Sequence, residues 1–180
     1  MLEVEVKLRP DEKKLLALRD RLRESVGGEP VIHQQQDIYF SHPDRDFKAR
    51  DEALRLRVDN GLFITWKGPK LDPPLKTREE IEFGLTTDPT TATRLLTALG
   101  FEQAATVAKT REQWSLPKPC PASICLDNVV GLGWFVEVEV LAEEPAVGRE
   151  QIEKVLRYLD LDQEPFLQTS YLGLLTASEN

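Results

Sequence analysis

Apolar and charged residues alternate along much of the chain, which is the pattern of strands with one apolar and one polar face. In the segment 2–8, LEVEVKL, four apolar side chains share one face, whereas Glu3, Glu5 and Lys7 share the other. Asn60 and Gly61, between two such segments, are typical of a hairpin turn. Related patterns predict further strands at 37–40, 53–59, 62–68, 77–85, 104–116, 122–129 and 133–142.

Three segments instead repeat apolar residues at the spacing of an amphipathic helix. The first follows Asp11 and ends before Gly27, the second runs from Thr87 or Asp88 to Gly100, and the third spans about 148–160. About eight strands with short connections, together with three helices, favour an antiparallel α+β fold. A chain of 180 residues, of which 41% are hydrophobic, is long enough to bury one core, so we expect a single domain over residues 1–180.

Composition argues against several classes of function. The chain has 31 acidic and 23 basic residues, and its net charge of -8 disfavours a general nucleic-acid binder, which needs an excess of Lys and Arg. No stretch reaches the roughly 18 apolar residues of a membrane helix, and no secretory signal pattern is found, so we expect a cytoplasmic protein without a membrane partner. Only His33 and His42 are available for a histidine-based zinc centre, and Cys120 and Cys125 are expected to be free thiols. Any bound metal is therefore expected to have oxygen ligands.

The charged faces of the predicted strands carry like charges two residues apart in six places. The pairs are Glu3 and Glu5, Arg55 and Arg57, Lys76 and Arg78, Glu80 and Glu82, Lys109 and Arg111, and Glu137 and Glu139. Lys7, Lys67 and Asp127 add single charges to similar strands. Each pair alone is more often the solvent face of a half-buried sheet. Like charges about 6.5 Å apart repel, however, so their repetition favours a bound ligand of opposite sign: cations for the glutamates and an anion for the basic pairs.

The predicted helices favour an inward orientation of these charges. Three amphipathic helices need an apolar surface to cover, and the outer apolar faces of a curved sheet would supply it. A barrel of about eight strands can enclose side chains or one small ligand. Because unpaired buried charges are costly, such an interior is best explained as a binding site. Arginine and lysine suit phosphate oxygens and clustered carboxylates suit Mg²⁺ or Mn²⁺, so we predict a polyphosphate site with a divalent metal.

A known family shares the order of these motifs. The chain resembles the CYTH superfamily, the triphosphate tunnel metalloenzymes, in the segments EVEVK, LRLR, TWK, KTREEIE, KTR, CLDNV and VEVEV. The resemblance extends from residue 1 to residue 175 and is greatest to class IV adenylate cyclase-like proteins. It implies an antiparallel, eight-stranded, closed or nearly closed β-barrel with amphipathic helices packed outside, and Mg²⁺ or Mn²⁺ as the cofactor.

The resemblance also implies roles for individual residues. Lys7, Arg57, Glu137 and Glu139 would be catalytic. The phosphate ligands would be Lys7, Arg55, Arg57, Lys67, Lys76, Arg78, Lys109 and Arg111. The metal ligands would be Glu3, Glu5, Asp127, Glu137 and Glu139. Glu80 and Glu82 would bind metal or balance charge, and Tyr171 would contact the site or, as we expect, anchor the chain. The chain departs from the subgroup at Gln168 and Thr169, where a basic residue is expected.

Several functions fit these charges. The first hypothesis is an adenylate cyclase that converts ATP to cyclic AMP and pyrophosphate. The second is a triphosphatase that hydrolyses tripolyphosphate, a nucleoside triphosphate or thiamine triphosphate, since no adenine-specific motif is legible. A non-catalytic polyphosphate- or nucleotide-binding module is a third, which the intact acidic pairs disfavour. The sequence leaves open whether the chain forms a homodimer and whether the Gly- and Pro-rich segment 68–76 closes over the substrate.

Overall fold

The computed structural model describes residues 2–70 and 76–178. The strands are β1 (Leu2–Leu8), β2 (Val31–Ser41), β3 (Ala53–Val58), β4 (Leu62–Lys67), β5 (Lys76–Arg78), β6 (Glu80–Leu85), β7 (Glu102–Leu116), β8 (Ala122–Val129) and β9 (Gly133–Ala142). The helices are α1 (Glu12–Val26), α2 (Pro89–Ala98), α3 (Pro145–Tyr158) and α4 (Tyr171–Ser178). Most of the predicted loop at 68–76 lies outside the described residues.

These strands form one antiparallel sheet in the order β5-β1-β9-β8-β7-β2-β3-β4-β6. Its two edge strands are consecutive in the chain, because only Glu79 separates β5 from β6. Arg78 of β5 lies opposite Glu3 of β1, and Glu80 of β6 lies opposite Lys67 of β4. Counted as one bent strand, β5 and β6 therefore join the edges of a strongly curled sheet. The predicted α+β fold, with an eight-stranded, nearly closed barrel and helices packed around it, is confirmed.

The main hydrophobic core lies outside the barrel. Val4, Val6 and Leu8 are buried on the outer face of β1, where α1 and α3 cover them. Burial of one such side chain contributes about 1.5–3 kcal/mol. At Gly148 of α3, a Cβ atom would lie 2.4 Å from Val4, so only glycine lets the helix pack this closely. Since alternate residues point to opposite faces, Glu3, Glu5 and Lys7 must face inward.

The second helix covers a smaller core on another side of the barrel. Asp88 caps α2 by accepting a hydrogen bond from the backbone N–H of Thr91, and Pro89 occupies its first turn, as the sequence predicts. Ala92 and Leu96 of α2 then pack with apolar residues from the outer faces of β2, β3 and β4. The arginines of β3 are thereby directed into the barrel.

Three features differ from or extend the sequence-based expectation. Strand β2 begins at Val31 rather than at 37, because its polar first half pairs along the long strand β7. Helix α3 begins at Pro145, and α4 was not predicted as a helix. Helix α4 packs on the inward-facing residues Val107, Val129 and Phe135, near the turn between β8 and β9. It therefore covers one end of the barrel.

Two further observations concern the described part of the chain. Cys120 and Cys125 are free thiols, as expected. No helix in this part is both long enough and apolar enough to cross a membrane.

Candidate active site

The interior of the barrel is a cavity of about 1190 Å³ with a charged wall. Predicted site residues on this wall are Glu3, Glu5, Lys7, Arg55, Arg57, Lys67, Arg78, Glu80, Glu82, Lys109, Arg111, Glu137, Glu139 and Tyr171. The backbone of Lys76 pairs with Glu5, but its side chain lies outside the described part of the structure. Asp127 is fully buried behind the wall. The structure thus brings residues from distant parts of the sequence around one space.

Three carboxylates form an acidic cluster, which comprises Glu5, Glu137 and Glu139. One oxygen from each lies within 4.8 Å of the others. The cluster follows from the pairing of β1 with β9, which sets Glu5 opposite Glu139 and Lys7 opposite Glu137. Mg²⁺ binds oxygen ligands at about 2.1 Å, so opposite ligands of one ion lie about 4.2 Å apart. The spacing and the donor type of the acidic cluster both fit a hard divalent cation.

Two carboxyl groups in this region are strongly perturbed. Burial, with a further contribution from Glu139 and Glu80, raises the pKa of Glu3 to about 8. Burial also raises the pKa of Glu139 to about 7, where Glu5 and Glu137 add to the rise and Arg111 opposes it. Carboxylates this close repel one another in a partly desolvated space. A bound cation would remove that repulsion.

We predict that the metal-free protein loses stability as the pH rises from 5 to 8. Both Glu3 and Glu139 have folded-state pKa values above the ordinary value of 4.5, so the folded state binds more protons than the unfolded state in this range. The free energy of unfolding should fall by several kcal/mol, on the order of 5 kcal/mol for the two groups together. Denaturant titrations in EDTA at several pH values would measure it.

A control variant separates this effect from other titrations. Glu3→Gln should flatten the upper part of the profile, between pH 7 and 8, because the group with the higher pKa is removed. A metal-free wild-type protein whose free energy of unfolding stays constant or rises over this range would contradict the prediction.

A fully buried carboxylate orients the basic side chains next to the acidic cluster. Asp127 accepts hydrogen bonds from Lys109 Nζ at 2.7 Å and from Arg111 Nε and Nη2, also at 2.7 Å. The Tyr171 hydroxyl donates to the same carboxylate at 3.0 Å. Asp127 lies outside the acidic cluster, and its oxygens already accept from these three residues. Its predicted role as a metal ligand is untested, and this geometry favours a positioning role instead.

Arg111 joins the two groups of charges. Its Nη2 donates to Asp127 and, at 2.5 Å, to Glu137, and its Nη1 lies 3.6 Å from Glu139. Nearby, the ammonium of Lys7 lies 4.1 Å from the centroid of the Tyr171 ring. Tyr171 therefore both anchors α4 and contacts basic side chains of the site.

On the opposite wall, a carboxylate that the sequence did not single out contacts two arginines. Asp37 accepts two hydrogen bonds from Arg57, at 2.6 and 2.7 Å, and lies 3.6 Å from Arg55. Burial alone would raise the pKa of Asp37, but the hydrogen bond from Arg57 and the charge of Arg55 hold it below its ordinary value. Asp37 alternates with Gln35 and Tyr39 on β2, which was the available signal.

The remaining predicted residues form ion pairs along the joined edge of the sheet. Glu82 accepts a hydrogen bond from Arg55 at 3.1 Å, and Glu80 pairs with Lys67. Neither Glu80 nor Glu82 belongs to the acidic cluster. Of the two roles left open for these glutamates, this arrangement favours charge balance.

Comparisons with known proteins agree with this geometry. The family model described as the CYTH domain matches residues 1–171. A Methanocaldococcus jannaschii protein, named only as a candidate adenylate cyclase, is 37% identical over 97% of this chain and 98% of its own. The solved structure of the PH1819 protein from Pyrococcus horikoshii superimposes with a TM-score of 0.85 and 37% identity, covering 98% of this chain and 99% of that one.

More distant structures share the fold. A candidate adenylate cyclase from Vibrio parahaemolyticus superimposes with a TM-score of 0.76 at 20% identity, covering 98% of both chains. The family-model match over nearly the whole chain and the two relatives at 37% identity lead to one conclusion. The chain belongs to the CYTH domain family.

Proposed function

We propose that this protein is a divalent-metal-dependent enzyme that acts on a triphosphate, and that its reaction is the cyclisation of ATP to cyclic AMP and pyrophosphate. One observation carries the proposal: Arg111 contacts both the buried carboxylate that orients Lys109 and the acidic cluster. The groups predicted to bind phosphate and those predicted to bind metal therefore meet in one cavity. A site that holds a metal together with a phosphate requires this juxtaposition.

The basic side chains would bind and orient the triphosphate. Arg57 and Arg111 are already fixed by two hydrogen bonds each, to Asp37 and Asp127, so little reorganisation is needed when a phosphate arrives. Lys109 lies beside them with its ammonium on Asp127. Their positive charges would stabilise the negative charge that develops on phosphate oxygens in the transition state. Arg57 and Arg111 are largely buried, and this partly desolvated setting would strengthen these interactions.

The acidic cluster would hold the metal. When bound by Glu5, Glu137 and Glu139, Mg²⁺ or Mn²⁺ would supply Lewis-acid activation of the attacking oxygen and neutralisation of phosphate charge. In the cyclisation, the ribose 3′-oxygen forms a bond to the α-phosphorus while the bond to pyrophosphate breaks, and the hydroxyl proton passes to water. The name of the 37% identical relative supports this choice of reaction.

Hydrolysis is the second candidate. The cavity wall is dominated by charged side chains, which an inorganic triphosphate would satisfy without a base or a sugar. Two proteins with this fold are described with triphosphatase activity: a candidate adenylyl cyclase from Hippeastrum, in which that activity is dominant, and the triphosphatase of the Mimivirus capping enzyme. They are 17% and 13% identical to this chain, so they support only the suitability of the fold.

Product analysis distinguishes the reactions. The protein is incubated with ATP or with tripolyphosphate, in Mg²⁺, Mn²⁺ or EDTA, and the products are separated by ion-exchange chromatography. We expect cyclic AMP and pyrophosphate from ATP, with no turnover in EDTA. ADP and phosphate from ATP, or phosphate from tripolyphosphate alone, would instead indicate hydrolysis. No turnover of either compound with either metal would contradict the enzymatic proposal.

We predict that Arg57→Ala weakens the binding of tripolyphosphate to the metal-free protein by about 1.5–3 kcal/mol, the value of one charge-assisted hydrogen bond. Calorimetric titration in EDTA would measure the dissociation constant. Arg23→Ala is the matched control, since Arg23 lies on α1 with 47% of its side chain exposed. An unchanged dissociation constant for Arg57→Ala would remove Arg57 from the binding site.

A further inference from the structure

Beyond the basic residues, the cavity wall carries a polar cluster that the proposed reaction does not use. It comprises His33 and Gln35 of β2 and Asp59, which follows β3, and all three line the cavity. Asp59 Oδ2 lies 2.9 Å from His33 Nδ1 and accepts a hydrogen bond from Gln35 Nε2 at 2.9 Å. The backbone N–H of Asn60 donates to Oδ1 at 2.8 Å. The polar cluster is thus fixed by its own hydrogen bonds.

The polar cluster directly adjoins the predicted phosphate ligands. In the pairing of β2 with β7, Gln35 lies opposite Lys109 and His33 lies opposite Arg111. Side chains opposite each other on one face of such a pair are about 5 Å apart at Cβ. A triphosphate held by the basic residues would therefore have one end next to the polar cluster.

The polar cluster presents hydrogen-bond acceptors. Burial alone would raise the pKa of Asp59, but hydrogen bonds from Gln35, Asn60 and His33 hold this pKa below its ordinary value. An ionised Asp59 can only accept, so His33 donates to it from Nδ1, and whenever the ring is neutral its Nε2 is an acceptor. Gln35 is 7% exposed, and its Oε1 is buried with no hydrogen-bond partner among the described residues. Buried acceptors of this kind usually have a donor.

We infer that the polar cluster is a specificity subsite for the hydroxyl- or amino-bearing part of a nucleoside triphosphate, with Gln35 and His33 as its acceptors. Ionised phosphates have only acceptors and would not be held there. The cavity wall therefore offers hydrogen-bond donors to the phosphates at one place and acceptors to the sugar or base at another. This arrangement would orient an asymmetric substrate. This inference rests on the proposed triphosphate function and favours a nucleotide over inorganic tripolyphosphate.

Calorimetric titration of the metal-free protein with ATP and with tripolyphosphate tests the inference without turnover. Gln35→Leu removes the acceptor at similar size and should weaken ATP binding roughly five- to tenfold, because a substrate donor loses its partner. Tripolyphosphate binding should change less than twofold. Gln36→Leu is the matched control, since Gln36 is the next residue of β2 and is exposed on the outer face.

A second variant covers the case in which Gln35→Leu does not fold. His33→Phe keeps a ring of similar size and should likewise weaken ATP binding but not tripolyphosphate binding. Equal losses for both ligands, or no loss for either, would overturn the inference and indicate that the polar cluster only ties β2 to the end of β3. If the wild-type protein binds tripolyphosphate but not ATP, the inference fails together with the proposed cyclisation of ATP, whereas a triphosphate site in the barrel stands. If it binds neither, the proposed function fails together with the inference.

Discussion

Glu137→Gln should lower metal-dependent turnover of the triphosphate substrate by at least ~100-fold. Loss of one ligand charge weakens the binding of the metal, and a bound metal stabilises the transition state by several kcal/mol. The acidic cluster supplies the reason: Glu137 lies with Glu5 and Glu139 at a spacing that one divalent ion can share. Initial rates at the lowest Mg²⁺ or Mn²⁺ concentration that saturates the wild-type protein would measure the effect. Glu139→Gln should give a loss of the same order.

Two controls separate metal binding from phosphate binding and from folding. Since Glu137 also accepts a hydrogen bond from Arg111, metal-free tripolyphosphate binding must be measured in parallel, and we expect it to survive largely intact. Glu143→Gln is the matched variant, because Glu143 follows β9 and is exposed. If Glu137→Gln retains wild-type turnover at the metal concentration that just saturates the wild-type protein, the assignment of the acidic cluster to the metal is wrong.

Asp127→Asn should destabilise the protein by about 3–5 kcal/mol, the usual cost of removing one partner of a buried ion pair. Asp127 is fully buried and holds the charges of Lys109 and Arg111. The amide would remove the carboxylate that pairs with Lys109 and one of those that pair with Arg111, and it would direct its own N–H groups at donors. Denaturant unfolding in EDTA, with linear extrapolation to water, would measure the loss.

The same experiment decides between the two roles of Asp127. A positioning role predicts the full loss of stability in EDTA, whereas a role as metal ligand predicts a loss only when the metal is present. Asp44→Asn is the control, since Asp44 is exposed, and it should change the free energy of unfolding by less than about 0.5 kcal/mol. An Asp127→Asn variant as stable as the wild type in EDTA would contradict the positioning role.

Much of the barrel could be predicted from alternation together with the helices. The pattern of β1 alone fits an ordinary sheet with its charged face in solvent, and it is the amphipathic helices that require the apolar face to be outside. Val4 and Val6 are indeed buried under α1 and α3, so Glu5 between them faces the cavity. The inward orientation of the charged pairs could therefore be predicted only by considering the strands together with the helices, because the pattern of a single strand does not indicate it.

Other features were not predictable, because they arise from contacts between distant segments. Asp37 is the one charged residue of β2 and has no like-charged partner two residues away, and the pairing of β2 with β3 sets it opposite Arg57. His33 and Gln35 lie in a polar segment without clear alternation, which becomes a strand by pairing with β7. The special position of Asp127 depends on its burial, since the same residue on an open strand would be a plausible metal ligand.

The central claim is that the barrel interior binds a triphosphate and a divalent cation together. Calorimetric titration of the EDTA-treated protein with tripolyphosphate, repeated with Mn²⁺ present, tests it most directly. We predict one site per chain in both titrations and tighter binding with Mn²⁺, because the cation neutralises the acidic cluster and bridges to the phosphates. Absence of saturable binding, or the same affinity with and without the cation, would contradict the account.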